Sequence, residues 1–150
     1  MRLELTAFTR RGAALAARLA EELTRRGHQA ACTRGTGESA ADWTAQAFGR
    51  AQGLIFVGAA GIAVRSIAPH LRHKSTDPAV VVDEGGQFAI PILSGHLGGA
   101  NDLAREIAAL MGGQAVITTA TDVNGAFAVD QWARAQGLAV CNPEKIVDVS

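Results

Sequence analysis

Three short stretches of this 150-residue chain concentrate the groups able to do chemistry. Residues 58–61 read Gly-Ala-Ala-Gly, residues 94–101 read Ser-Gly-His-Leu-Gly-Gly-Ala-Asn, and residues 118–125 read Thr-Thr-Ala-Thr-Asp-Val-Asn-Gly. Each follows an apolar run and opens a segment of helical character. Glycine lets a backbone come close to a ligand, and the free N–H groups at the start of a helix favour anions. In an open α/β sheet such strand-to-helix turns are where ligands bind.

The three turns differ in what they could do. Gly58 and Gly61 form G-x-x-G, not the G-x-G-x-x-G of a dinucleotide fold, so a tight turn is the simpler reading and nucleotide binding the weaker one. Ser94 stands where a nucleophile elbow would place its serine, but Ile92 occupies the first glycine position of that motif, which argues against a serine nucleophile. His96, set among Gly95, Gly98 and Gly99, is the better candidate. Its imidazole could serve as a general base near neutral pH, or simply cap a helix or bond to backbone. Asn101 and Asp102 could orient a substrate or cap the helix that follows. Thr118, Thr119, Thr121, Asp122 and Asn124 gather hydroxyl, carboxylate and amide groups suited to a polar ligand, and equally suited to an N-cap with an Asx turn.

A fourth stretch carries Arg65, Arg72, His73 and Lys74. These could receive carboxylates or phosphates, although such a run is more often a solvated face. His70 and His73 have helical spacing for a metal, but no Cys or acid at matching spacing joins them, so no protein-held metal is expected.

The elements that must position these groups alternate between strand and helix. Leu3–Phe8 reads as a strand and the Leu15, Leu19, Leu23 spacing as a helix closed by Gly27. Gln29–Cys32 reads as a short strand, and Ser39–Phe48 as a helix capped by Ser39. Leu54–Val57 reads as a buried strand, and Ile62–Leu71 as a helix. Ala79–Val82 and Phe88–Leu93 form a hairpin around Asp83–Gln87, with Pro91 at an edge or strand end. Leu103, Ile107 and Leu110 mark another helix, and Ala115–Thr118 another strand. Asn124–Gln136 reads as a last helix with Phe127 and Trp132 in the core, and Ala139–Val140 as a short final strand. Trp43 is also expected in the core. The pattern predicts a three-layer α/β/α sandwich with a mostly parallel, mixed sheet.

Strand direction in the hairpin is less constrained. Seven extended residues, 72–78, span about 23 Å, enough to cross a strand of roughly 17–20 Å. If they cross, Phe88–Leu93 runs with the other strands and all three turns share one edge of the sheet, with the Asp83–Gln87 turn opposite. If they do not, the Ser94 turn is separated from the rest. The first arrangement is the one expected here.

Composition narrows the class of function. Apolar residues are 48% and charged residues 19%, which marks a folded chain. Formal net charge is zero and there is no Tyr, which argues against nucleic acid as a partner. The two cysteines, Cys32 and Cys141, are too few for a disulfide framework. They suit free thiols in a reducing, cytoplasmic setting. No secretory signal and no run of about 20 apolar residues is seen, so no membrane span is expected.

Several of these runs together resemble the CbiG family of cobalamin-biosynthesis proteins. The runs are Gly58–Pro69, Lys74–Asp83, Leu93–Asn101 and Val116–Asp122. The likeness covers about residues 53–132, and the opening strand–helix unit is similar too. The resemblance implies cobalt-precorrin-5A hydrolase activity in the anaerobic pathway. That reaction opens the δ-lactone on the macrocycle and releases acetaldehyde and cobalt-precorrin-5B. Cobalt would enter with the corrinoid substrate, and no cofactor would be held by the protein. Against a ring bearing many acetate and propionate arms, helix N-termini with Arg65, Arg72 and Lys74 make physical sense. Gly58, Gly61, Ser94, Gly95, Gly98, Gly99, Asn101, Thr118, Thr119 and Thr121 are then substrate-binding candidates, with His96 and Asp122 as catalytic ones. Family members continue into a middle region and a further domain. The expected division is therefore an α/β domain over 1–140, with 141–150 beginning a middle region or linker. The rival reading is a non-catalytic corrinoid-binding or docking module serving a neighbouring enzyme of the pathway.

Overall fold

The structure, a computed structural model, describes residues 1–71, 77–95 and 98–120. The helix expected over 124–136 with Phe127 and Trp132, the strand at 139–140, Cys141 and the division at residue 140 lie outside the described residues.

In chain order the elements are β1 (Arg2–Ala7), α1 (Arg10–Arg25), β2 (Gln29–Cys32), α2 (Ala40–Ala47), β3 (Gly53–Val57) and α3 (Ala60–Ile67). A 3-10 turn at Ala68–His70 follows, then β4 (Ala79–Val82), β5 (Phe88–Leu93), α4 (Ala100–Met111) and β6 (Gln114–Ala115). Local chemistry explains the ends. Thr9 caps α1 by accepting from Gly12 N, and Ser39 caps α2 by accepting from Asp42 N. Gly27 follows α1 with φ 98, a left-handed position that glycine occupies without penalty. α3 stops earlier than the sequence reading places it. Pro69 has no N–H to continue the helical ladder, and the chain tightens into the 3-10 turn.

The strands form one sheet in the order β2-β1-β3-β4-β5-β6. Period-two alternation divides its side chains between two cores. Leu3, Leu5, Ile55, Val57, Val80 and Val82 meet Leu15, Leu19 and Leu23 of α1 and Leu103 and Ile107 of α4. On the other face Leu54, Phe56, Ala79 and Val81 meet Trp43 and Ala47 of α2 and Ala63 and Ile67 of α3. Trp43 packs edge-on against Phe56 with ring centroids 5.4 Å apart. The three-layer α/β/α sandwich with a mixed, mostly parallel sheet is therefore what these residues build.

Strand direction departs from expectation. β1, β2, β3 and β4 are mutually parallel, β5 is antiparallel to β4, and β6 is parallel to β5. β5 thus runs against the first four strands, and the three turns do not share one edge. The reason lies in the crossover. α3 and its 3-10 turn carry the chain back to the edge where β3 starts, and Pro78 O accepts from Leu54 N there at 3.0 Å. β4 accordingly starts at the same edge as β3 and runs beside it. Pro91 likewise sits in an internal strand. It lies opposite Val80 where the register shifts, an irregularity at which a missing ladder donor is tolerated.

Candidate functional site

The reversal of β5 sorts the sequence candidates onto two edges of the sheet. At the C-terminal ends of β1–β4 lie Gly58, Gly61, Arg65 and the Asp83–Gln87 turn. At the C-terminal ends of β5 and β6 lie Ser94, Gly95, Gly98, Gly99, Asn101, Thr118 and Thr119. His96, Arg72, His73, Lys74, Thr121 and Asp122 lie outside the described residues.

The second edge is the tighter construction. Ser94 ends β5 with φ 57, the sole positive φ among described non-glycine residues, and is 7% exposed. Its carbonyl accepts from Ala100 N at 3.1 Å, and Gly95 O accepts from Asn101 N at 3.0 Å. The first donors of α4 are therefore used to close its own loop. Gly99 is the N-cap at φ 85, and no side chain caps the helix. Two other glycines are required by space. A Cβ on Gly98 would stand 2.4 Å from Ser94 Cβ, and one on Gly95 would stand 2.8 Å from Asn101 Oδ1. Asn101 is 1% exposed, and its Nδ2 donates to Thr119 Oγ1 at 3.1 Å. This bond joins the turn after β5 to the turn after β6. Asn101 therefore acts across the two turns, and Asp102, largely exposed, pairs with Arg105 one turn along the helix.

The first edge is more open. Gly58 N donates to Val82 O at 2.8 Å, and Phe8 lies 3.0 Å from where its Cβ would be. Gly61 and Arg65 are exposed, and the Arg65 guanidinium folds back to 3.5 Å from a Cβ on Gly61. Arg34 is committed to structure: it donates to Thr6 Oγ1, Glu38 O and Ala7 O, and lies over the Phe8 ring. Asp83 gathers the N–H groups of Gly85, Gln87 and Phe88, which holds the hairpin turn.

The sequence reading missed an ion pair between a buried carboxylate and a half-exposed arginine. Glu4, 5% exposed on β1, accepts from Arg50 Nε at 2.9 Å, from Arg50 Nη2 and from Thr33 Oγ1 at 2.7 Å. Trp43 Nε1 donates to the same Thr33 oxygen at 2.8 Å. The Arg50 hydrogen bonds hold the Glu4 carboxyl below the ordinary carboxylate range, against the opposing effect of burial. The available signal was a lone acid inside an apolar strand. Partial desolvation pushes the thiol of Cys32 up, which works against its activation as a nucleophile. Among the described residues no group of three or more His, Cys, Asp or Glu side chains could hold a metal, and no helix is long and apolar enough to cross a membrane.

Comparison with known proteins adds the following. The family model described as cobalamin synthesis G N-terminal matches residues 42–122. A cobalt-precorrin-5A hydrolase of Salmonella typhimurium is 58% identical over 86 residues, covering 57% of this chain and 24% of that protein. One from Priestia megaterium is 47% identical over 100 residues, covering 66% of this chain and 27% of that protein. The chain thus spans about a quarter of the length of these curated relatives. A solved structure of a cobalamin biosynthesis protein G homolog from Sulfolobus solfataricus superposes with a TM-score of 0.67 at 22% identity, covering 99% of this chain and 44% of that one. At that identity the likeness speaks to fold. Ser94, Asn101 and Thr119 all lie inside the stretch the family model matches.

Proposed function

The chain belongs to the cobalamin synthesis G N-terminal family, and from that membership we propose that it works in δ-lactone opening of cobalt-precorrin-5A. The observation that carries the reading is the Asn101–Thr119 hydrogen bond, which ties two sequence-distant turns into one polar corner within the matched residues. The substrate is a cobalt-containing corrinoid with many carboxylate arms, and cobalt arrives with it. Water, activated by the His96 imidazole, attacks the lactone carbonyl. Backbone N–H groups of the glycine-rich turn steady the oxyanion. The acyl–oxygen bond breaks, leaving a carboxylate and an alkoxide. The alkoxide collapses by a retro-aldol-type cleavage that expels acetaldehyde and gives cobalt-precorrin-5B. Asp122, Thr119 and Asn101 orient water or ring, while Ser94, Gly95, Gly98 and Gly99 shape the backbone that meets the substrate. Thr118 and Thr121 add hydroxyl donors. Arg72 and Lys74 receive carboxylate arms, whereas Arg65 and the Gly58–Gly61 turn, at the opposite edge of the sheet, take no part in this site.

The test is anaerobic incubation of this chain with cobalt-precorrin-5A, followed by an acetaldehyde assay. Acetaldehyde released by this chain, and lost in His96→Ala, supports the reading. Ring binding with no acetaldehyde from this chain would point either to a site completed by a further domain or to a corrinoid-binding or docking module for a neighbouring pathway enzyme, and the same assay on a full-length relative separates the two.

A further inference from the structure

Among the described residues β2 is an outer strand of the sheet. Gln29 N donates to Met1 O and Thr33 N to Leu5 O. Alternation therefore points the backbone groups of Gln29, Ala31 and Thr33 at β1, and those of Ala30 and Cys32 away from it. The Ala30 carbonyl takes a 3.3 Å bond from Thr24 Oγ1. Among the described residues no backbone group pairs with Ala30 N or Cys32 N. Natural edges are blunted by charges, proline or a bulge. This one reads Gln-Ala-Ala-Cys, and three of its four residues are exposed.

The flanks are recessed on both faces. A cavity of about 590 Å³ borders β2 beside Glu4 and Arg50, and one of about 350 Å³ is lined by Ala20, Glu21, Thr24, Arg25 and Ala30. The second contains the feature that selects an occupant. Thr24 marks the level of Ala30 along α1, and Glu21 and Arg25 project near that level with opposite charge. A two-fold axis at Ala30 sets α1 antiparallel to its copy. Glu21 then faces the second copy's Arg25, and Arg25 the second copy's Glu21. Arg25 is currently paired with Glu22, and its side chain is 67% exposed, so exchange of that pair costs little. Zero formal net charge leaves no overall repulsion between copies.

We propose that the chain associates with a second copy of itself through antiparallel β2 strands, making one continuous sheet across both. The Ala30 residues face each other and exchange two N–H···O=C bonds, as in a hydrogen-bonded antiparallel pair. Each Cys32 N–H faces the other copy's His28 carbonyl. The small Ala30 and Ala31 side chains let the two sheets meet without obstruction. Such an interface is isologous, so each residue acts twice.

Sedimentation equilibrium of the chain over a concentration series tests this. The expected result is a monomer–dimer equilibrium. Ala30→Pro removes the outward N–H but leaves the β1 ladder intact, and should weaken the dimer at least tenfold with an unchanged circular dichroism spectrum. Glu21→Arg and Arg25→Glu should each weaken it several-fold, because each reversal is repeated across the axis, and the double exchange should restore it. The exchange series decides the matter if the proline variant fails to fold. A chain that stays monomeric at the highest concentration overturns the proposal. So does a dimer indifferent to both Ala30→Pro and the single charge reversals.

Discussion

The turns after β3 and after β5 look alike as sequence: each is a glycine-rich step from an apolar strand into a helix. In space they are opposites. The turn at Gly58 opens onto exposed Gly61 and Arg65, and a methyl group on Gly61 would meet only the end of a flexible arginine. The turn at Ser94 is closed around Asn101, with Ser94 in a left-handed conformation and no room for a Cβ at Gly95 or Gly98. The difference teaches that glycine serves two purposes here. At Gly61 it is one helix residue among others; at Gly98 it is the absence of a side chain that lets the loop close.

The sharpest way to break this comparison is to add one carbon to each turn. Gly98→Ala forces a 2.4 Å contact onto Ser94 Cβ. It should cost about 3 kcal/mol of stability in urea unfolding. A loss below 1 kcal/mol would mean that the closed loop has slack. Next comes Asn101→Ala, which removes the bond to Thr119 from a nearly fully buried side chain. The expected loss is about 1–2 kcal/mol, and adding Thr119→Ala in the same chain should cost less than Thr119→Ala does alone, because the two residues interact directly. Additive losses in that double variant would show that the two turns are not coupled.

A region away from both edges supplies the control. Arg50 hydrogen bonds lower the Glu4 carboxyl, so the folded state favours the charged form. That contribution is complete above the ordinary carboxylate value and is lost as pH falls through the lowered one. Stability measured from about pH 6 down to about pH 3 should therefore drop more steeply in the parent than in Glu4→Gln. Equal slopes would assign the acid sensitivity elsewhere. The smallest effect is expected at the open turn. Gly61→Ala has ordinary van der Waals space in a helical position. It should raise stability by about 0.5 kcal/mol through the lost freedom of the unfolded chain. A clear loss there would erase the contrast with Gly98.

Local signals carried most of the architecture. β2 falls on Gln29–Cys32 as the short apolar run implies, and Ser39 caps α2 as its residue type suggests. The hairpin around Asp83–Gln87 follows from two apolar runs flanking a polar turn. Direction was not legible, because it depends on where α3 returns the chain, which the Pro78–Leu54 contact and the parallel β3–β4 register reveal. For the site, residue type picked out Asn101 and Thr119, but not the bond between them. That bond requires β5 and β6 to run together. The Glu4–Arg50 pair was hidden for a related reason: its partners come from distant segments that meet only in the sheet.

The order of the strands also bears on how fast this chain can find its fold. Of the neighbouring pairs in the sheet among the described residues, only β1 with β3 joins strands that are not consecutive in the chain. Every other pairing closes a single hairpin or a single helical crossover, while Leu3 must reach Gly53 with α1, β2 and α2 looped out between them. That closure carries the largest entropic cost, since non-local pairing is what slows folding. A conservative truncation at this seam, Ile55→Val, should therefore retard refolding in stopped-flow mixing. A larger truncation in the hairpin, Val81→Ala, should chiefly hasten unfolding.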